Sequence, residues 1–379
     1  MKVGILKETF PGERRVALIP AHAADLIKAG AEVLVESGAG LAAGHDDEEY
    51  RQKGATVAES RAEILSSADA ILAVRAAAAD PEAGLELAGS IKPGAALVGL
   101  ADPWGPHEAF RRLASRKASL FALELLPRIT RAQPMDVLSS QANLAGYKAV
   151  LLAADTLPRL FPMMMTAAGT IVPAKLLVIG VGVAGLQALA TARRLGAVTS
   201  AYDVRTAVRE QVQSLGAKFI ELPLEAAEGA GGYAKAMDEE FYRKQRELLA
   251  AVIKDSDVLI TTAAVPGKKA PVLVSEAMVR GMPRGSVVVD LAAERGGNCE
   301  PTRPGRSVEV GGVTVLGPVT LAAGVPGHAS RLYSKNISTF FLSMVKEGRL
   351  VFDEKDEIVS STMVMRGGEY LADAIRPKS

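Results

Sequence analysis

The sequence predicts an α/β protein of two doubly wound, Rossmann-like parallel-sheet domains joined by a long helix. Three observations carry this reading. Short apolar runs alternate with helical stretches from the first residues onward, the rhythm of a parallel sheet covered by helices. The alternation runs twice, with an Ala-rich helical stretch between the two series. Ala, Val, Leu and Gly are abundant while aromatics make up 4%, which suits sheets closely covered by helices.

Taken in order, "KVGIL" and "AEVLVE" read as strands around the helix "PAHAADLIKAG", whose Gly30 is a C-terminal stop. "DAILAV", "AALVGL" and "ASLFAL" continue as strands, with "HEAFRRLASRK" as the helix before the last. The stretch "RITRAQPMD", residues 128–136, then packs two arginines, a glutamine, a proline and an aspartate into a connection. Leu144, Tyr147, Val150, Leu151 and Ala154 follow at helical spacing, among small residues that allow close approach to a neighbour. A second series runs through "AKLLVIG", "VTSAYDV", "DVLITTA", "SVVVDLA" and "VTVLG" to the helix "SRLYSKNISTFFLSMVKEG" and a polar tail. The expected domains are 1–137 completed by 330–379, and 138–329. The most membrane-like stretch, Phe161–Ala192, is interrupted by Pro162, Pro173 and Lys175. A spanning helix needs roughly 20 unbroken apolar residues, so a buried strand, a turn and a helix are expected there, with Met163–Met165 filling core gaps.

Composition narrows the function. Lys plus Arg (44) nearly equals Asp plus Glu (43), so nothing points to nucleic acid. The single cysteine, Cys299, excludes an internal disulfide framework and a Cys-based zinc site, and fits a reducing compartment. "MKVGILKETF" carries charges where a signal peptide needs an apolar core. No histidine pair has metal-ligand spacing and there is no G-x-S-x-G elbow, so metal and nucleophilic chemistry are not expected. His22 and His107 sit at helix starts as solvated residues, and "HDDEE" reads as a solvated helix start.

The strongest local motif is "VIGVGVAGLQALATARRLGA". It follows a strand and opens a helix, the context in which G-x-G-x-x-G binds a dinucleotide. Gly180 permits the tight turn, Gly182 lets the backbone approach a pyrophosphate, and Gly185 lets helix pack on strand. The helix start at Val183 and Ala184 supplies N–H donors and positive dipole. The next strand ends in Asp203, placed to bond the ribose hydroxyls and repel a 2′-phosphate, so NAD(H) is favoured over NADP(H). Val204 flanks it, and Arg205 leans slightly toward phosphate.

"KETFPGERRVALIP", "AGTIVPAKLLVIGVGVAGLQALATARRLGA", "AYDVR", "GGYAK" and "VVVDLAAERGGNCE" resemble the alanine dehydrogenase and transhydrogenase α-subunit superfamily. Within it, "ELLPRITRAQPMDVLSSQANLAGYKAV" is similar to the NAD(H)-binding component of proton-translocating NAD(P)+ transhydrogenase. The resemblance implies that Arg128, Asp136 and Ser139 fix the nicotinamide carboxamide and its surroundings, and that Gln133 reaches toward NADP(H) on a partner domain. It implies a mobile loop at "EAAEGAGGYAKAM" in which Gly232 and Tyr233 fold over the nucleotide. Gln245 and Ala264 are carried over as further nucleotide contacts. It implies a homodimer, cytoplasmic and peripheral to the inner membrane, with membrane-spanning subunits on other chains. Two places depart from the pattern. Pro134 stands where serine is common, and "GPVTLAAGVPGHAS" replaces an Asn-Leu-Pro segment, which bears on nicotinamide contacts. A stand-alone amino-acid dehydrogenase is disfavoured because Arg75 stands where the resembling alanine dehydrogenases carry a lysine, and Asp102 falls at or next to the position of their histidine. Arg15 remains but could be structural in both. A non-catalytic NAD(H)-binding regulator is the third reading, and it would not need Gln133.

Overall fold

The computed structural model describes residues 1–105, 108–223, 239–265 and 267–371. The chain divides into two compact units, Met1–Gln141 with Ala323–Ser379, and Ala142–Ala322. The 20-residue helix Val137–Thr156 begins in the first and continues into the second.

In the first unit the eight-stranded sheet runs, edge to edge, Glu369–Tyr370, Met363–Arg366, Ser119–Ala122, Ala96–Leu100, Ala70–Arg75, Lys2–Ile5, Glu32–Glu36 and Thr56–Ala58. The six strands from Ser119–Ala122 onward pair in parallel, and the order reverses beside Lys2–Ile5, as in a doubly wound sheet. Alternate residues serve opposite faces. Leu72 and Val74 pack with Tyr333 and Phe340, whereas Ile71 and Ala73 pack with Ile64 and Phe110. The central strands are therefore continuous apolar runs, as a sheet covered on both faces requires.

The C-terminal segment is more than a polar tail. Helix Glu357–Thr362 leads into Met363–Arg366, which pairs antiparallel with Ser119–Ala122 and buries Met363, Val364 and Met365. The parallel sheet thus ends in an antiparallel edge, the cheapest way for a short return segment to satisfy its backbone groups.

The second unit holds a seven-stranded sheet in the order Lys218–Phe219, Val198–Tyr202, Lys175–Ile179, Val258–Thr261, Val287–Asp290, Val313–Leu316 and Ser307–Val310. All pairs are parallel except the last. Its order also reverses beside its first strand, Lys175–Ile179. Leu176 and Val178 meet Ala188 and Leu189 on one face, and Leu177 and Ile179 meet Leu249 and Ile253 on the other. Within this unit Gly146 lies against the start of the Val183–Arg194 helix. A Cβ there would meet the Ala184 carbonyl oxygen at 2.1 Å, so the small residues of the long helix do permit close approach.

Residues 163–165 correct the sequence reading. Met164–Thr166 pairs only with Gly169–Ile171, as a two-stranded ribbon. Met163, Met165 and Val172 are 62%, 76% and 77% exposed, so these methionines fill no core within the chain. The apolar run misleads because buried strand and unpaired hairpin have the same composition; the buried strand begins only at Lys175. His22 is a second correction. It is half-buried with Nδ1 2.7 Å from the Ser334 hydroxyl, and desolvation lowers its pKa. His107 lies outside the described residues. The "HDDEE" stretch is a helix start, Asp46 accepting from the Glu49 N–H at 2.8 Å.

Candidate functional site

In the second unit the chain leaves Ile179 and turns at Gly180, whose φ of +93° favours glycine. A Cβ on Gly180 would lie 2.8 Å from the Ala263 nitrogen, and one on Gly185 would lie 2.1 Å from the Gly180 carbonyl oxygen. Both glycines are demanded by packing of the turn and the Val183–Arg194 helix. Gly182 differs, because an added Cβ would meet nothing within 4 Å. It precedes the helix without a side-chain cap, so an open backbone surface faces outward at a helix N-terminus that starts with Val183 and Ala184. These residues fit a pyrophosphate.

Asp203 sits beyond the adjacent strand, buried, with Oδ2 accepting from the Val181 N–H at 2.6 Å. Its other bonds come from Arg205: the backbone N–H at 2.8 Å, Nε at 2.8 Å and Nη2 at 2.7 Å. Val204 lies between them. The carboxylate is therefore partly neutralised where the sequence placed it to repel a phosphate. Behind it, the buried Gln245 donates to the Tyr202 hydroxyl at 2.9 Å, and its Oε1 has no partner among the described residues. Ala264 is exposed just past the Val258–Thr261 strand. Gly232 and Tyr233 lie outside the described residues.

The strand-end segment holding Ala264 has a support that the sequence reading missed. Asn298 Nδ2 donates to the carbonyls of Ala263 and Pro271 at 2.8 and 2.9 Å. Asp290, fully buried, accepts from the N–H groups of Ala292, Asn298 and Cys299 and from the Thr302 hydroxyl. The signal was an acid closing an apolar strand ahead of a Gly-Gly-Asn turn.

In the first unit, Thr130–Met135 forms a 3₁₀ turn around Pro134. Ala132 and Met135 are buried in the cluster holding Tyr333 and Ile337, while Gln133 and Pro134 are exposed. Arg131 makes a two-pronged bond to Asp356, with Nη1 to Oδ2 at 2.7 Å. Arg128 is exposed ahead of the turn. Asp136 begins the long helix, accepting from the Ser139 N–H at 2.9 Å and its hydroxyl at 2.5 Å. The unit so brings Gln133, Asp136 and Ser139 onto one short, fixed segment, with the departure at Pro134 accommodated by the 3₁₀ geometry.

Close to the switch point of this unit's sheet lies a charged cluster. Arg15 makes bonds to Glu13 through Nε at 2.7 Å and Nη2 at 2.6 Å, and Nη1 reaches Gln141 Oε1 at 2.9 Å. Arg75 stacks 4.0 Å from the Phe10 ring centre, contacts Glu13 at 3.4 Å and donates to the Ala79 carbonyl. Burial alone would raise the Glu13 carboxyl, but Arg15's bonds and charge outweigh it and hold Glu13 below the usual range. Glu8, bonded to the Val74 and Arg75 N–H groups, has no such partner; burial and the Glu13 charge push it up to about 8. Asp102, at φ +47°, donates its N–H to Glu124 at 2.7 Å. At Arg75 and Asp102 the structure thus places a fixed cation and an acid.

Two family models cover the chain: the N-terminal domain of alanine dehydrogenase/PNT over residues 4–145, and the C-terminal domain over residues 149–373. It belongs to the alanine dehydrogenase/PNT family. Within that family it is similar to an NAD(P) transhydrogenase subunit alpha of Rhodospirillum rubrum, 48% identical over 99% of both chains. The protein of the same name from Rickettsia prowazekii is 45% identical over 100% of this chain and 98% of that one. A solved transhydrogenase from Sinorhizobium meliloti is 47% identical, with a TM-score of 0.87 over 98% of this chain and 100% of the other. No helix among the described residues is long and apolar enough to cross a membrane.

Two outcomes follow for this alanine dehydrogenase/PNT chain. Gly185→Ala lowers the thermal midpoint, since overpacking costs about 1–3 kcal/mol, while Gly182→Ala leaves it unchanged; equal effects in calorimetry would refute the division between packing and open surface. Glu8 has a folded pKa raised above its unfolded value of about 4.5. The folded state therefore holds the extra proton, and stability falls as pH rises from about 4.5 to about 8, by at most about 1.4 kcal/mol per pH unit. Denaturant titrations across that range should show the slope in the native protein and lose it in Glu8→Gln. A slope that persists rules out Glu8 as its source.

Proposed function

We propose that this chain is the NAD(H)-binding catalytic α subunit of a proton-translocating NAD(P)+ transhydrogenase. Hydride passes directly between NAD(H) on this chain and NADP(H) on a partner domain, and membrane-spanning subunits couple the transfer to proton movement. The protein is then cytoplasmic and peripheral to the inner membrane. The observation that carries this reading is the 130–135 turn, which buries Ala132 and Met135 and leaves Gln133 outward. A regulator that only holds NAD(H) has no use for a fastened glutamine aimed away from its own core.

The bound nicotinamides supply the hydride chemistry, and this chain supplies binding and orientation. The Gly182 surface and the Val183–Arg194 helix start receive the pyrophosphate. Asp203 and Val204 take the adenosine ribose, with Arg205 tempering the charge of Asp203; Gln245 and Ala264 line the same strand edge. Arg128, Asp136 and Ser139 hold the nicotinamide side, and Gly232 and Tyr233 cover the nucleotide. Hydride transfer between two nicotinamides releases no proton, so neither acid nor base is required. Orientation and exclusion of water are. The names of the relatives, which denote one subunit of a larger assembly, support partner chains.

The deciding experiment follows reduction of an NAD analogue by NADPH, with and without an added NADP(H)-binding transhydrogenase domain. Turnover should appear only with that domain and fall about tenfold or more in Gln133→Asn or Asp136→Asn. Gly182→Ala should weaken NADH binding in the same preparation. No turnover despite tight NADH binding sinks the reading.

We also propose a homodimer. An isolated two-stranded ribbon is marginal in water, and a second copy covering Met163, Met165 and Val172 would bury its apolar side chains. Sedimentation should report a dimer that dissociates in Met165→Asp/Val172→Asp; a double variant that stays dimeric would place the contact elsewhere.

A further inference from the structure

We propose that Asn336 is a positioning residue for hydride transfer, acting through the turn that presents Gln133. The inference rests on the transhydrogenase reading above. Asn336 lies on the Pro326–Ser343 helix, 9% exposed, within the same unit as the turn. Its Nδ2 donates to the Pro134 carbonyl at 2.8 Å and its Oδ1 accepts from the Ser140 hydroxyl at 2.7 Å. Those two partners flank Asp136, so one amide clamps the end of the 3₁₀ turn to the first turn of the long helix. Pro134 has no N–H and can offer this clamp only its carbonyl, which fixes which end of the amide must face it. The turn is tied off at its ends by an Asp136 N–H to Gln133 carbonyl bond at 3.2 Å and an Ala132 N–H to Ile129 carbonyl bond at 3.0 Å. Ala132 and Met135 anchor the turn by burial, and Arg131 ties its outer side to Asp356. Burial sets how deep the turn sits; the directional bonds from Asn336 set its rotation, and hence where the Gln133 side chain emerges. Hydride transfer is steeply sensitive to such placement, a displacement of about 1 Å costing on the order of 100-fold.

Asn336→Asp keeps the shape but sets a carboxylate oxygen against the Pro134 carbonyl, replacing an attraction by a repulsion. Ser140→Ala removes the other bond with little change of volume and serves as the second variant if the first does not fold. Both are assayed in the NADPH-to-NAD-analogue reaction with the partner domain, alongside NADH affinity by fluorescence titration and the thermal midpoint. The expected result is turnover about tenfold or more lower in Asn336→Asp, and less so in Ser140→Ala, with NADH affinity held. The effects of Asn336→Asp and Gln133→Asn should also combine to less than their product, since both act on one group. Unchanged turnover overturns the proposal. So does a loss of turnover that tracks a parallel loss of NADH affinity, or effects that multiply in the double variant, because Asn336 would then be supporting the fold at large. Absence of turnover in the native protein defeats the transhydrogenase reading itself, and is seen before any variant is compared.

Discussion

The first unit depends on one buried ion pair. Arg15 and Glu13 are 5% and 9% exposed and meet through two side-chain bonds and one from the Arg15 backbone N–H, and the remaining face of the guanidinium is taken by Gln141. Gln141 in turn donates to the Ala329 carbonyl. Residues 13, 141 and 329 therefore converge, and the chain's C-terminal return is fixed to its N-terminal segment and to the start of its long helix. A buried pair adds little net stability over apolar packing, but removing one member strands the other charge at about 3–5 kcal/mol. Its contribution is specificity of arrangement. With these segments held, the 130–135 turn has two fixed supports, the helix that starts at Val137 and the helix that carries Asn336.

That arrangement bears on what the site can do. Arg75 is a permanent cation, stacked on Phe10 and bonded to Glu13, so it cannot shuttle a proton. Glu8, pushed up to about 8 by burial, is spent on the backbone of the neighbouring strand. The polar groups of this unit are engaged in holding positions. Such a site suits a reaction whose barrier is lowered by geometry, in which chemistry comes from bound rings and the protein fixes their approach.

Much of this was legible in the sequence where pattern and structure share a cause. The two β/α series follow from apolar runs of strand length between helical spacings, and Gly180 and Gly185 follow from the turn's steric needs. The glutamine turn was recognisable because its residue types are too directional for a plain linker. Other features were hidden because they depend on residues distant in the chain. Asn336 meets Pro134 across 202 positions, and nothing near it in a helix of serines and aromatics marks it out. Arg205 sits two residues from Asp203, yet only side-chain geometry shows that it caps the acid. The Met163–Met165 run misleads because composition reports apolarity without saying what covers it. The terminal strand Met363–Arg366 escapes since an edge strand of four residues has too short a pattern to separate from a tail.

The first five strands of the two sheets share one order, and the sheets differ at the point where that order reverses. In the second unit the crevice beside the first strand is bridged by backbone and a hydroxyl, with Thr262 bonded to the Gly180 carbonyl at 2.7 Å. Beside it Gly182 leaves open space, with nothing within 4 Å of an added Cβ. In the first unit the same point is bridged by a side chain, the Glu8 carboxyl accepting from the Val74 and Arg75 N–H groups. A doubly wound sheet offers a binding crevice wherever its order reverses, and in the first unit that crevice is lined by charged side chains, Glu8, Lys7, Arg61, Arg75 and Asp80. The difference between the units thus traces to the residue types beyond two corresponding strands: "KETF" beyond Ile5 brings a carboxyl that caps the neighbouring strand, while "GVG" after Ile179 brings glycines, of which Gly182 leaves open space around its backbone.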